Sequence, residues 1–207
     1  KTLYLPPENL FRHLTFKGEF KVNSGTNQFR ILHHGFHIEN QIFWRGFDGF
    51  EPNSIKLWAK LSRNSKFILD IGANTGVYAL TAKSENPLSE VHAFEPVERV
   101  FEKLQKNVSL NNFDITCHRL AVSNSDGIGM FFDDDEEHQT SVIINMDRSD
   151  EDNLHKVETP LITLDTFIKQ NAIQSIDLMK VDVETHEPEL IEGFKKNIVN
   201  FQPTLII

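Results

Sequence analysis

The chain has 207 residues and a net charge of −9, from 21 basic and 30 acidic residues. This length fits one compact domain, and the negative charge would repel a phosphate backbone, so nucleic acid is not expected as a partner. The longest apolar runs are about five residues, far short of the ~20 that a membrane-spanning helix requires, and no charged-then-apolar leader opens the chain. A single cysteine, Cys117, permits no internal disulfide. We therefore expect a cytoplasmic protein.

The first fifty residues contain short runs typical of β-strands. Residues 29–32 and 36–38 are each rich in apolar residues, and Gly35 lies between them, so each run predicts a strand. We expect residues 1–52 to form a β-rich N-terminal segment packed on the core. Residues 53–207 are expected to form that core as part of a single structural domain.

From residue 66 the sequence alternates between strand-like and helix-like segments. Just before this point, a helix is predicted to follow Pro52, with Asn53 or Ser54 as its N-cap. The predicted strands are residues 67–71, 91–94, 115–120, 130–132, 142–144, 157–162, 176–183 and 204–207. The predicted helices are residues 77–83, 97–110, 164–171 and 188–199. Such alternation is typical of an α/β fold with a doubly wound, mostly parallel, Rossmann-like sheet. Because the chain stops inside its last strand, we expect the C-terminal strands of the fold to be missing.

A glycine-containing loop, Asp-Ile-Gly-Ala-Asn-Thr-Gly, runs from Asp70 to Gly76 after the first core strand. A dinucleotide-binding loop starting at Gly72 would need glycine where Asn74 and Val77 stand, and no P-loop pattern is present. The remaining pattern, Asp-x-Gly-x-x-x-Gly, suits a ligand with a ribose and an aminocarboxypropyl arm but no phosphate. The two glycines would let the main chain approach that ligand closely. Asp70 would accept hydrogen bonds from the loop or from the ligand's ammonium; alternatively, it only caps the following helix.

An acidic residue ends the second core strand. Glu95 lies 19 residues after Gly76, where an open α/β sheet places the carboxylate that binds both hydroxyls of a ribose. The alternative is that Glu95 only caps the helix that Pro96 opens. Ligands of such sheets bind beyond the carboxyl ends of the strands, so Asp70 and Glu95 are expected to lie at one site.

These motifs together resemble the FkbM family of methyltransferases, over roughly residues 44–207 and in the family's order and spacing. The resemblance rests on Gly49-Phe-Glu-Pro, the run from Phe67 to Tyr78, Ala93-Phe-Glu-Pro, Leu120-Ala-Val-Ser with Asp126-Gly, Thr163-Leu-Asp, and Lys180-Val-Asp-Val-Glu. It implies S-adenosylmethionine as the cofactor and O-methylation of a sugar hydroxyl in a polysaccharide, glycolipid or glycosylated natural product. The residues expected to bind the cofactor are Asp70, Gly72, Ala73, Asn74, Thr75, Gly76, Glu95, Pro96, Ala121, Val122 and Asp126, the last as a partner of the adenine amino group.

The strand predicted at residues 176–183 carries the candidate catalytic residues. Alternation places Lys180, Asp182 and Glu184 on one face, and a strand buried on both faces has no packing reason to hold three charges. Asp182 is the predicted general base or acceptor of the substrate hydroxyl, Glu184 orients the substrate or the cofactor's ammonium, and Lys180 pairs with one of them. His186 competes as the base, because its ordinary pKa is about 6.5. The alternative is an ion-paired strand end without a catalytic part.

Glu51 and Trp44 are predicted to close the site around the acceptor, a small molecule or a glycan, and no metal site is expected because no established ligand spacing occurs. One departure is that Thr185 and His186 follow Glu184, where the family usually has glycine and a small residue. That departure motivates the alternative of a noncatalytic cofactor-binding or scaffold protein. A nicotinamide-dependent oxidoreductase is a third possibility, which the glycine pattern disfavours. The sequence predicts no oligomeric state.

Overall fold

The computed structural model describes residues 7–11, 13–14, 16–24, 27–134, 143–144, 154–183 and 185–207. Its strands are β1 Gly18–Ser24, β2 Asn27–His33, β3 Phe67–Ile71, β4 Glu90–Phe94, β5 Ile115–His118, β6 Ala121–Val122, β7 Gly127–Asp134, β8 Ile143–Ile144, β9 Leu154–Ile162, β10 Leu178–Val181 and β11 Thr204–Ile206. Its helices are α1 Glu8–Phe11, α2 His37–Arg45, α3 Pro52–Ser62, α4 Val77–Glu85, α5 Glu98–Asn111, α6 Leu164–Gln170, α7 Glu187–Glu192 and α8 Ile198–Phe201.

The central sheet has five parallel strands in the order β11-β10-β3-β4-β5. Within this sheet, β3 comes first in the sequence. β4 and then β5 are added on one side of β3, and β10 and then β11 are added later on its other side. The strand order therefore reverses between β3 and β10, and in open α/β sheets a crevice forms at that point beyond the carboxyl ends of the strands. The predicted α/β class with a doubly wound, mostly parallel sheet is confirmed.

Two apolar layers cover the two faces of this sheet. On one face, Ile68 of β3 packs in a cluster with residues of α3, α4, α5 and the β1–β2 hairpin, including the fully buried Trp58. On the other face, Leu69 and Ile71 pack with residues of α6 and α7. Because β3 is buried on both faces, its side chains are apolar on both, with Asp70 as the exception. That exception lies at the site described below.

A second, four-stranded sheet has the order β6-β9-β7-β8 and mixes parallel with antiparallel pairs. The strands predicted at residues 130–132 and 157–162 lie in it, whereas Val142 lies outside the described residues. The strand predicted at residues 115–120 is shorter in the structure, because β5 ends at His118; β6, a separate strand that begins at Ala121, joins this second sheet. Sequence periodicity shows that a segment is a strand, but not which sheet it enters.

The strand predicted at residues 36–38 is wrong, since α2 begins at His37. The Glu39 carboxylate accepts a hydrogen bond from the Phe36 N–H at 2.9 Å, a capping contact between residues three apart in sequence. In α3 the N-cap position is occupied by Glu51, which makes no side-chain capping hydrogen bond, instead of by Asn53 or Ser54. The N-terminal segment is thus a hairpin followed by helix, less β-rich than expected. Its boundary at residue 52 stays a prediction.

Two C-terminal elements are shorter than predicted. The strand predicted at residues 176–183 spans Leu178–Val181. The helix predicted at residues 188–199 is divided into α7 and α8, and the Asp165 carboxylate accepts the N–H groups of Lys196 and Asn197 between them, at 3.1 and 3.2 Å. Within the described part of the chain, no helix has the length and apolar character needed to cross a bilayer.

Candidate functional site

A cavity of about 320 Å³ lies at the carboxyl ends of β3, β4 and β10. It therefore occupies the crevice that the reversal of strand order creates. Part of its wall comes from the N-terminal segment, at the start of α2 and just before α3. The lining residues are His37, Ile38, Phe50, Glu51, Ile71, Gly72, Ala73, Asn74, Thr75, Val77, Tyr78, Phe94, Glu95, Pro96, Leu120, Ala121, Val122, Lys180, Asp182 and Val183.

The glycine-containing loop crosses the end of β4. The N–H groups of Gly72 and Ala73 both donate to the Phe94 carbonyl, at 3.0 and 2.9 Å. Gly72 has a φ of 76°, and a Cβ atom there would collide with the Asp182 carbonyl. Gly76 caps α4 with a φ of 95°, in a backbone conformation that glycine adopts without steric cost. The sequence Gly-x-x-x-Gly thus follows from two main-chain requirements.

A matched pair of glycine substitutions tests this requirement. Gly46 has a φ of 81°, close to that of Gly72, but has no atom within 4 Å of its Cβ position. Gly46→Ala is expected to lower the free energy of unfolding by about 1–3 kcal/mol, the ordinary cost of such a backbone conformation. Gly72→Ala is expected to cost at least about 2 kcal/mol more, because it adds a collision with main chain that cannot move freely. Urea unfolding of both variants measures the difference, and equal losses would contradict the assigned collision.

Glu95 is 6% exposed and its carboxylate holds the loop in place. Oε2 accepts the N–H of Asn74 at 3.0 Å, and Oε1 accepts the N–H of Val97 at 3.0 Å. Val97 is the N-cap residue of α5, so the helix-end contact weighed from the sequence is present. Each oxygen can accept a further hydrogen bond, and Glu95 is one of the residues that line the cavity. Burial raises the pKa of Glu95 to about 7, although the two N–H donors oppose that rise.

Asp70 and Lys180 are register partners on the adjacent strands β3 and β10. Asp70 Oδ2 accepts the N–H of Ala79 in the first turn of α4 at 2.8 Å, as in the capping alternative. Its Oδ1 has no hydrogen-bond partner among the described residues and lies 3.9 Å from Lys180 Nζ. Burial raises the pKa of Asp70 to about 6, against the attraction of the Lys180 ammonium. A buried acceptor atom is therefore available beside the cavity.

Lys180 connects Asp70 to the open side of the cavity. Its Nζ donates to Asp182 Oδ2 at 3.0 Å and to the Gly72 carbonyl at 3.3 Å. The Lys180 side chain is 7% exposed, whereas that of Asp182 is 53% exposed. The pairing expected from the sequence is present, and Asp182 is the member of the pair that is accessible from the cavity.

Tyr78 and Glu51 join the N-terminal segment to the core. The Tyr78 hydroxyl donates to the Glu51 carboxylate, and Lys180 Nζ lies 4.8 Å from the centroid of the Tyr78 ring. Burial, followed by the contact with Glu51, raises the pKa of Tyr78, so its hydroxyl stays protonated. Glu51 itself has a φ of 42°, in the left-handed region that a non-glycine residue adopts only at a cost.

Five of the described candidate residues lie outside the cavity lining: Trp44, Asp70, Gly76, Asp126 and His186. The Trp44 indole donates to the Leu14 carbonyl at 3.1 Å. Asp126 caps α6, accepting hydrogen bonds from Thr163 N and Thr166 Oγ1, both at 2.7 Å.

His186 is buried, and its Nε2 lies 2.9 Å from Ser123 Oγ. Asp70 and Gly76 are chain neighbours of lining residues, and Glu184 lies outside the described residues; the remaining candidates line the cavity. The structure therefore brings together most of the predicted cofactor residues with Asp182, Lys180 and Glu51.

Thr185, which stands where the family usually has glycine, has an unusual backbone conformation. Thr185 has a φ of 74°, which explains why glycine is usual at that position and why its replacement adds local strain. The side chain is exposed and does not line the cavity. The departure therefore removes no group from the site.

Sequence reasoning assigned no role to Tyr78, His37 or Phe50, which all line the cavity. Tyr78 had one signal, its place two residues after Gly76 in the matched run. His37 had none, because its segment was interpreted as a strand. Among the described residues, no group of histidine, cysteine and acidic side chains could hold a metal ion.

The comparisons with known proteins agree with this geometry. A sequence profile described as the methyltransferase FkbM domain matches residues 70–207. The chain is 27% identical to 31-O-demethyl-FK506 methyltransferase FkbM of Streptomyces tacrolimicus, over 63% of this chain and 60% of that protein. It is 25% identical to methyltransferase 1 of Beauveria bassiana, over 63% and 59% of the two chains. It is 26% identical to hexuronic acid methyltransferase AglP of Haloferax volcanii, over 73% and 60%.

The chain thus spans about three fifths of the length of these relatives. The profile, in contrast, covers more than half of this chain and includes the glycine loop, Glu95 and the Lys180–Asp182 pair. The chain belongs to the FkbM family of S-adenosylmethionine-dependent methyltransferases.

Proposed function

We propose that this chain binds S-adenosylmethionine in the cavity and transfers its methyl group to a sugar hydroxyl of a glycan, a glycolipid or a glycosylated natural product. One observation carries the proposal: the glycine loop, the buried Glu95 and the accessible Asp182 line the same cavity. A cofactor site and a candidate base thereby meet at one end of the sheet.

Three features support binding of S-adenosylmethionine. Glu95 places a buried carboxylate where two ribose hydroxyls can donate to it. The unpartnered Oδ1 of Asp70 suits an ammonium group. The absence of a side chain at Gly72 lets the loop pack against the Asp182 carbonyl, so that the glycine loop and Asp182 border the same cavity. Ala121 and Val122 form the wall expected to face adenine.

When bound, S-adenosylmethionine supplies an electrophilic methyl group on a sulfonium sulfur. The chain's own part is to align an acceptor oxygen with that methyl group and to remove its proton, and alignment supplies much of the rate. Asp182 is positioned to accept the proton at its carboxylate, which Lys180 holds in one orientation. His186 bonds to Ser123 away from the cavity, and this supports Asp182 over His186 as the base.

The relatives' names support an oxygen acceptor. One acts on 31-O-demethyl-FK506 and another on hexuronic acid, which is a sugar. Glu51, at the cavity wall beside Tyr78, supplies a carboxylate for a further hydroxyl of the acceptor. Glu184 keeps its predicted orienting role as part of this proposal.

Calorimetric titration at varied pH tests the cofactor site. S-adenosylmethionine and S-adenosylhomocysteine are expected to bind and NAD is not. Hydroxyl donation favours the ionised form of Glu95, and burial has raised its pKa to about 7 in the free protein. Affinity should therefore rise with pH between about 6 and 7, by at most about tenfold per unit for this one group, and level off above about 7. Asp70, with a pKa of about 6, acts in the same direction at lower pH.

Glu95→Gln should remove the part of this profile near pH 7. An affinity that falls as pH rises from 6 to 8 would contradict the role given to the Glu95 carboxylate. Binding without methyl transfer to any hydroxylated acceptor would instead favour the noncatalytic alternative.

A further inference from the structure

Acidic side chains outnumber basic side chains around the cavity. Glu51, Glu95 and Asp182 line the cavity, and Asp70 is a chain neighbour of a lining residue, whereas Lys180 is the one cationic side chain among the described lining residues. His37 adds an imidazole at the same wall. This balance acts on whatever molecule enters beside the cofactor.

Lys180 is not free to bind an anionic ligand. An ammonium has three donors; Lys180 Nζ donates to Asp182 Oδ2 and to the Gly72 carbonyl, and it lies 3.9 Å from Asp70 Oδ1 and 4.8 Å from the centroid of the Tyr78 ring. The side chain is only 7% exposed. A ligand carboxylate would reach this ammonium only by displacing Asp182.

The accessible polar groups at the acceptor end are therefore hydrogen-bond acceptors with negative charge. Glu51 already accepts from Tyr78 and Asp182 accepts from Lys180, yet each carboxylate has further lone pairs. Neutral hydroxyl groups can donate to them. A ligand carboxylate would lose its hydration and face the like charges of Glu51 and Asp182, while the nearby ammonium of Lys180 is already paired with Asp182.

We propose that the acceptor is an uncharged polyhydroxylated sugar and that the cavity discriminates against uronic acids. This inference rests on the proposed function, and it separates the chain from the relative named for hexuronic acid. The methyl donor also contains a carboxylate, but its ammonium and sulfonium make it cationic overall, so the same field favours the donor. The selection thus acts on the acceptor alone.

A matched set of acceptors tests the inference with the full chain and S-adenosylmethionine. The set is a methyl hexopyranoside, the corresponding uronic acid, and its uncharged uronamide, assayed by the mass of the methylated product. The neutral sugar and the uronamide are expected to be methylated with a kcat/KM at least about tenfold above that of the acid, since like charges at close range cost this much or more. Equal or faster methylation of the acid would overturn the inference.

Methylation of none of the three sugars by a chain that binds S-adenosylmethionine would also overturn it. Failure to bind S-adenosylmethionine would instead overturn the proposed function. Glu51→Gln should raise the ratio of acid to neutral turnover by about fivefold, because one negative charge is removed from the cavity wall. Glu102→Gln, the same change on the exposed surface of α5, should leave the ratio unchanged.

Discussion

Replacing Glu95 by alanine is expected to weaken the binding of S-adenosylmethionine at least about 100-fold. The substitution removes the acceptor of two ribose hydroxyls, and each hydrogen bond to a charged group contributes about 1.5–3 kcal/mol. It also leaves the N–H groups of Asn74 and Val97 without the partner that holds the loop and the start of α5. Isothermal titration with S-adenosylhomocysteine and S-adenosylmethionine measures the loss.

Two further variants separate lost ligand contacts from lost structure. Glu95→Gln keeps the size of the side chain and one carbonyl acceptor, so it is expected to retain more stability than alanine while still binding at least about tenfold more weakly than the parent. Glu90→Gln changes an exposed carboxyl group at the other end of β4 and should bind normally. An affinity of Glu95→Ala within about threefold of the parent would contradict the ribose assignment.

The central sheet was predictable because its signals are local. Every residue of β3 and β10 is buried, and the polar residues Asp70 and Lys180 stand out in the sequence against their apolar neighbours. Their pairing follows from topology, since β10 returns beside β3 and places the two residues in register. The convergence of Asp70, Glu95 and Asp182 could therefore be predicted from the rule that ligands bind beyond the strands' carboxyl ends.

The N-terminal wall of the cavity was less predictable, for a physical reason. The start of α2 depends on Glu39 accepting the Phe36 N–H, and a short apolar run around residue 37 fits a strand or a helix equally well. Trp44 was expected to help close the site, but its indole donates to the Leu14 carbonyl and it does not line the cavity. Such side-chain contacts between distant segments cannot be predicted from the hydrophobic periodicity of the sequence.

The positions of two predicted polar residues outside the cavity lining have the same explanation. Asp126 and His186 are polar residues close in sequence to site motifs, yet they fix loops: Asp126 at the start of α6 and His186 against Ser123. A capping carboxylate and a ligand-binding carboxylate are the same residue type in the same kind of segment. Only the direction of the side chain distinguishes them, and that direction is a property of the fold.

Replacing Asp182 by asparagine is expected to lower kcat for methyl transfer about 10²- to 10⁴-fold, the usual contribution of a positioned general base. Asparagine keeps the shape of the side chain and an oxygen that can accept from Lys180 at the present 3.0 Å, but it cannot take a proton from the acceptor. The affinity for S-adenosylmethionine should change by less than about threefold, since the ribose carboxylate and the loop are untouched. Steady-state assays and titration of the same preparation give both quantities.

Comparing the effect of Asp182→Asn on kcat with its effect on cofactor affinity shows whether Asp182 is the base or only a structural partner of Lys180. If Asp182 only neutralised Lys180, its loss would disturb Gly72 and Asp70 through the same ammonium, and cofactor affinity and stability would fall together. If Asp182 is the base, kcat falls alone, and the pH dependence of kcat loses its acidic limb.

Glu192→Gln, on the exposed surface of α7, is the matched control and should leave kcat unchanged. Turnover of Asp182→Asn within about threefold of the parent would exclude the carboxylate as the base and leave alignment beside the methyl group as the main source of the rate.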